Sequence, residues 1–244
     1  MTNNETGRKI ILSVKDVLAG YDQVPVLFGV SIDVSQGELI AIVGSNGAGK
    51  STLMRVIAGL MKPSGGVVEF LDRDVTNIPA HKKVPLGISY VPEGRRLFPK
   101  LTVCENLELG AYVENERSEI SRRLEEVFSL FPILKDRAGQ TAETMSGGEQ
   151  QMCAIARGMM SKPKLLMIDE VSLGLMPSMV EKVLDALVQI NRGGTTIIIV
   201  EQMVQEALEI AHRGYVVQTG KIVLSGKSQV LLDSEEVRRA YMGM

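Results

Sequence analysis

A chain of 244 residues that is 45% apolar and 23% charged has the make-up of a globular protein with ample core, large enough for one large or two small domains that fold without staples. A formal net charge of −2 and a pI near 5.8 give no reason for a polyanion partner, so nucleic acid is disfavoured. The two cysteines, Cys104 and Cys153, lie far apart with no metal-ligand spacing around them, no apolar run approaches the roughly 18 residues of a membrane span, and the polar start over residues 1–9 leads into no signal-peptide core.

In chain order, residues 10–14 and 24–34 read as strands, with the turn formers Gly20, Asp22 and Pro25 between or within them, a small antiparallel lead-in. Tyr21 stands at a strand end, where an aromatic either packs half-buried or stacks on a base. Residues 39–43 read as a buried strand and residues 51–58 have helical spacing. Between them, Gly44-Ser45-Asn46-Gly47-Ala48-Gly49-Lys50-Ser51 fits G-x-x-x-x-G-K-[ST]. At a strand end and helix N-terminus, backbone N–H groups without helical partners can bind phosphate oxygens, and the glycines let the backbone wrap an anion. Lys50 is placed to reach the β- and γ-phosphates, the Ser51 hydroxyl to ligate Mg²⁺, and Thr52 completes the cradle.

A strand over 66–70, a polar loop with Pro79, a strand over 88–91 ending at Pro92 and a loop over 93–99 follow. The pattern then turns helical, over 103–109, over 118–130 and from near Ser146. The pairs Lys82-Lys83 and Arg122-Arg123 read as solvated faces, and Met159 and Met160 as core filler. The last third alternates strand (165–168), helix (178–190), turn (191–194), strand (195–200) and helix (203–211), which implies a parallel sheet. A hairpin around Thr219-Gly220 and two short helices close the chain.

Two further stretches carry chemistry. Asp169-Glu170 ends a buried strand, the end at which open α/β sheets bind ligands: Asp169 is placed to hold Mg²⁺, through water, and Glu170 to polarise an attacking water. In Ser146-Gly147-Gly148-Glu149, Ser146 and Glu149 have the spacing of a capping box, while the two glycines leave a bare helix end able to donate to a phosphate. One ATP has a single γ-phosphate, which two bare helix ends of one chain need not share.

The phosphate loop, Ser-Gly-Gly-Glu-Gln before a helix and Leu-Leu-Met-Ile-Asp-Glu, in this order, resemble the nucleotide-binding subunit of an ATP-binding cassette (ABC) transporter over nearly the whole chain. The resemblance implies an α/β P-loop NTPase of the ABC-ATPase fold: one domain over 1–244, with a mixed-sheet RecA-like core and antiparallel β subdomain from 1–91 and 162–244, and a Mg²⁺-sensing loop and inserted α-helical subdomain over 92–161. It also implies ATP and Mg²⁺ as cofactors, Tyr21 stacking on adenine, Glu93 as Mg²⁺ sensor, 172–176 as the loop between sites and Gln202 at the switch position. Ser146, Gly147, Gly148 and Glu149 would contact ATP held by a second subunit. Partners implied are that second copy or a sister ATPase, integral membrane permease subunits and, indirectly, a solute-binding protein, at the cytoplasmic face of the cell membrane.

Glu93 stands for the usual Gln, Gln202 for His, Met176 for Asp and Val171 for Pro. Glu93 keeps an oxygen ligand, and Gln202 keeps a hydrogen-bond donor but forms no imidazolium. The stretches 92–99, 172–175, 200–202 and 237–243 are similar to the branch that drives branched-chain amino acid importers. Three readings stand: an importer ATPase, a nucleotide switch acting on nucleic acid or ribosomes, and a non-hydrolysing ATP-binding scaffold. The transported solute (leucine-type amino acid, urea or amide), homodimer against heterodimer, and the effect of Val171, Met176 and Gln202 on turnover stay open.

Overall fold

The computed structural model describes residues 9–22 and 24–241, with Tyr241 as backbone alone; the chain's polar start over 1–8, and Met242 and Gly243 of its closing stretch, lie outside the described residues. In chain order, β1 (Ile10–Tyr21) and β2 (Val24–Ser35) form a long antiparallel hairpin, β3 (Leu39–Val43) enters the phosphate loop and α1 (Lys50–Ala58) leaves it. Strands β4 (Gly65–Phe70) and β5 (Arg73–Asp74), helix α2 (Ala80–Lys83) with a 3-10 turn over Val84–Leu86, and β6 (Ile88–Val91) follow. Then come α3 (Val103–Gly110), α4 (Arg117–Leu130), α5 (Pro132–Asp136) and α6 (Gly147–Met159). The rest is β7 (Leu165–Asp169), α7 (Pro177–Arg192), β8 (Thr196–Glu201), α8 (Val204–Ile210), β9 (Arg213–Gln218), β10 (Lys221–Lys227), α9 (Ser228–Leu232) and α10 (Glu235–Tyr241).

Two sheets result. One is antiparallel, ordered β2-β1-β4-β5; the other is mixed, ordered β10-β9-β3-β8-β7-β6, parallel throughout except for the β9–β10 hairpin. The central strands β3, β7 and β8 are buried at every position because they are almost wholly apolar, and successive side chains point to opposite faces of the sheet. Ile40 and Ile42 of β3 join Leu165, Met167, Ile198 and Val200 in a core shared with α1 and the antiparallel sheet. Leu39, Ala41 and Val43 join Leu166, Ile168, Ile197 and Ile199 in a second core shared with α3, α4, α6, α7 and α8. The carboxyl ends of β3, β7 and β8 therefore lie side by side, where Val43 pairs with Glu201 and Asp169 with Val200.

The structure departs from the sequence reading in several places. β1 runs well beyond residue 14: Leu12, Val14, Val17 and Ala19 are all buried, but a register shift between Val14 and Val17, with Asp16 at φ 49°, breaks the two-residue period that marks a strand. The polar loop around Pro79 contains α2 and its 3-10 turn, α5 begins at Pro132, and Asn191 and Arg192 belong to α7 rather than to the turn.

Two of the basic residues read as solvated are buried. Lys83 is 1% exposed, its Nζ donating to the carbonyls of Ile57 (2.8 Å) and Val56 (3.5 Å) at the end of α1, where helical carbonyls lack partners. Burial pulls its pKa down to about 8. Arg123 is buried against Glu119 (3.0 Å), Glu114 and the Met160 carbonyl (3.0 Å), tying α4 to the end of α6. Met160 is fully buried and Met159 packs on the same core, as read; Cys153 is buried and Cys104 half-buried.

Candidate functional site

The loop from Gly44 to Gly49 turns sharply between the buried strand β3 and α1. A Cβ on Gly44 would stand 2.2 Å from the Val217 carbonyl oxygen, and Gly49, at φ 105°, begins a helix that no side chain caps. The first N–H groups of α1 are thus free of side-chain acceptors, as an anion cradle requires. The Lys50 ammonium folds over the loop, donating to the carbonyls of Gly44 (2.8 Å) and Ser45 (3.0 Å). Burial lowers its pKa, and the charges of Glu170, Asp169 and Glu201 push it back up.

A cavity of 250 Å³ opens over this loop, lined by Asn46, Gly47, Ala48, Gly49, Lys50, Ser51 and Thr52, with Tyr21, Val26 and Glu170 at its walls. Gly44 and Ser45 lie outside the lining and serve it through Lys50. The Tyr21 ring is 41% exposed, and its hydroxyl accepts from Arg55 at 3.1 Å and lies 3.4 Å from Thr52 Oγ1.

At the ends of β7 and β8 the acidic residues come together. Ser51 Oγ donates to Asp169 Oδ1 at 3.1 Å and the Tyr90 hydroxyl to Oδ2 at 2.9 Å. Burial raises the Asp169 pKa; these two hydrogen bonds oppose it, while the Glu170 and Glu93 charges add to it. Glu93 is exposed and reaches the site through its charge. Glu170 lies in the left-handed region at φ 52°, and Gln202 Nε2 donates to its Oε1 at 2.8 Å. The donors around Ser51 and Asp169 are oxygens alone, which suits a small hard divalent cation. Among the described residues no group of three or more His, Cys, Asp or Glu is arranged to hold an ion, so a cation here would complete its shell from phosphates and water.

The glycine-rich stretch is a complete capping box: Glu149 N donates to Ser146 Oγ (3.4 Å) and Ser146 N to Glu149 Oε2 (2.8 Å), with Arg137 Nε on Glu149 Oε1 at 2.6 Å. Nothing from 146–149 lines the phosphate-loop cavity. Ser146 and Glu149 line a separate one of 410 Å³, with Met152, Met179 and Lys182. Gly148 packs so closely on α7 that a Cβ would meet Met179 Cε at 2.3 Å, and Arg95 stands over Gly147 while donating to Gln150 Oε1 at 3.3 Å.

Three residues of the site escaped the sequence reading. Val26 is an apolar wall beside the loop, with no local signal. Tyr90 lies one residue before the end of β6, next to β7 in the sheet, and holds Asp169 only because those strands are neighbours. Glu201 terminates an apolar strand just as Asp169 does, a signal that was present in the sequence; it is 3% exposed.

A family model for the ABC transporter matches residues 27–172. The chain is 41% identical to the high-affinity branched-chain amino acid transport ATP-binding protein BraG of Pseudomonas aeruginosa over 233 residues, 96% of this chain and 100% of that protein. It is 36% identical to the probable branched-chain amino acid transport ATP-binding protein LivF of Archaeoglobus fulgidus over 227 residues, 93% of this chain and 96% of that one. Among solved structures, a dimeric ATP-binding cassette in a post-hydrolysis state, bound to ADP and Pi, superposes with a TM-score of 0.80 at 25% identity, covering 89% of this chain and 99% of that one. The chain therefore belongs to the ABC transporter family and is one of its ATPases.

Proposed function

We propose that this chain is the ATP-hydrolysing subunit of an importer for branched-chain amino acids or a related small solute, working as a dimer with a second copy or a sister ATPase. The solute reading rests on the branched-chain transport proteins to which the chain is similar across almost its full length. The dimer reading rests on one observation: the phosphate-loop cavity and the glycine-rich end of α6 are separate places on one chain. Two chains head to tail would each lay Ser146, Gly147, Gly148 and Glu149 on the nucleotide held by the other.

In such a site the α1 N-terminus and Lys50 bind the β- and γ-phosphates, and Tyr21 stacks on the adenine. Glu170 takes a proton from the attacking water, and the Gln202 amide holds the Glu170 carboxylate. Ser51 and, through water, Asp169 would hold Mg²⁺ with Glu93 alongside, and that ion supplies charge neutralisation on the phosphates. The Lys50 ammonium already lies over the loop on the Gly44 and Ser45 carbonyls, from which it can turn to phosphate.

None of the helices among the described residues is long and apolar enough to cross a membrane. Transport would then need permease subunits, and a groove of 320 Å³ lined by Arg96, Phe98, Leu109, Tyr112 and Arg157 offers them a seat at the cytoplasmic face of the cell membrane. Phe98 is 52% exposed there, with Arg157 over its ring at 5.8 Å. A solute-binding protein would act through those permeases.

The test is steady-state hydrolysis against protein concentration. Turnover per chain that rises with concentration until dimers saturate is the expected result; constant turnover per chain down to strictly monomeric protein would remove the shared-site reading.

A further inference from the structure

Three carboxylates end β7 and β8 at this site, and the roles proposed above use two of them. Glu201 is the third. It does not line the phosphate-loop cavity, yet it is almost fully buried beside Asp169 and Glu170, where burial raises its pKa and the Glu170 charge adds to that rise. A buried negative charge beside two other carboxylates is costly unless its oxygens are well occupied.

They are. Glu201 Oε1 accepts from Ser172 N at 2.8 Å, and Oε2 accepts from Ser172 Oγ at 2.7 Å and from Gln202 N at 3.3 Å. Both donors of Ser172 are thus taken by one carboxylate in a dry site, where charge-assisted bonds are strongest. Only Glu170 and Val171 separate this anchor from the end of β7. Glu170 N donates to the Val200 carbonyl at 3.0 Å and its carboxylate accepts from Gln202, so the turn is fastened to the end of β8 at each end. The fastening is needed because Glu170 holds a positive φ, a conformation unfavourable to a residue with a Cβ. Val171 is fully buried but brings none of the backbone restriction that proline would.

We propose that Glu201 is a positioning residue for hydrolysis: through Ser172 it locks the 170–172 turn, and so keeps the Glu170 carboxylate in the seat made by Gln202. This rests on the reading of Glu170 as general base.

The test compares Glu201→Ala, Glu201→Gln and Ser172→Ala in the full chain, with kcat and the KM for ATP read separately and hydrogen exchange followed at the Ser172 amide. Glu201→Ala should lose kcat by about tenfold or more, toward the ~10²-fold that a misplacement of 1 Å can bring, and expose the Ser172 amide to exchange. The KM for ATP should stay within about twofold, because the phosphate loop is untouched. Glu201→Gln keeps an acceptor for Ser172 N and should restore kcat to within about threefold of the parent, with Ser172→Ala between the two. If Glu201→Ala does not fold, the other two variants decide: a kcat loss confined to Ser172→Ala supports the role. Unchanged kcat in Ser172→Ala with full nucleotide binding, equal loss in Glu201→Gln and Glu201→Ala, or a loss carried by KM alone would overturn it. Glu170→Gln, measured in parallel, separates the two claims. If it leaves turnover intact, the base assignment fails; if it abolishes turnover while Glu201→Ala changes nothing, only the positioning role fails.

Discussion

Glu170 illustrates how much a single residue is asked to do: its backbone holds a positive φ, its amide closes onto β8, and its carboxylate accepts from Gln202. Replacing Glu170 by Gln keeps the shape and removes the base, so hydrolysis should fall at least about a hundredfold while nucleotide affinity holds. Steady-state turnover and equilibrium nucleotide binding, measured on the same preparation, check both halves. Lys83 makes the opposite case, a charge in a structural place. Its ammonium titrates near 10.5 when unfolded and about 8 when folded. Between those values the unfolded chain holds the proton and the folded chain does not, so this group's contribution to stability rises with pH across that window; below it, the cost of burying the charge is borne in full. Lys83→Met should flatten the rise of the urea midpoint between pH 8 and 10.5 relative to the parent.

Among the secondary-structure elements, α6 is the pivot, since its N-terminus presents the glycine-rich end and its body carries α3, α5 and α7. The helix is held by details of spacing. Gly110 at the end of α3 lies so close to α6 that a Cβ would stand 2.0 Å from the Arg157 carbonyl oxygen. Gly110→Ala should therefore lower stability by about 1–3 kcal/mol through overpacking, as a shift in denaturant midpoint. At the other end of α3, Thr102 and Glu105 form a second capping box, with Glu105 N on Thr102 Oγ1 at 3.2 Å and Thr102 N on Glu105 Oε2 at 2.7 Å. It repeats the Ser146–Glu149 spacing and was equally legible in the sequence. The close approach at Gly110 was not, because nothing in a single helix tells which neighbour will press on it.

For the whole molecule, the proposed shared site turns on the phosphate-loop cavity and the glycine-rich end of α6 being separate places on one chain. Lys50→Ala should disable the nucleotide cradle, and Gly147→Asp should place a negative charge where the partner's phosphates would lie; the added Cβ meets only the flexible Arg95 side chain, at 3.1 Å. Each variant alone should be inactive. Mixed in equal amounts they should recover up to about a quarter of the parental turnover, since half the dimers would be mixed and each would hold one intact site. No recovery in mixtures shown to exchange subunits would contradict a shared site.

Local chemistry determined what the sequence could show by itself. The phosphate loop, the acids at the end of β7, the capping box at Ser146 and the alternation of strands and helices depend on neighbours within a few residues, so they are written in order along the chain. The tertiary structure decided the rest. Strand order alone brings Tyr90 to Asp169 and Glu201 to Ser172, and the end of α1 alone gives Lys83 a reason to be buried. Those partners are 79, 29 and 26 residues apart, distances over which no periodicity or cap can announce a contact. A buried charge is legible only from the group that satisfies it, and that group is chosen by the fold.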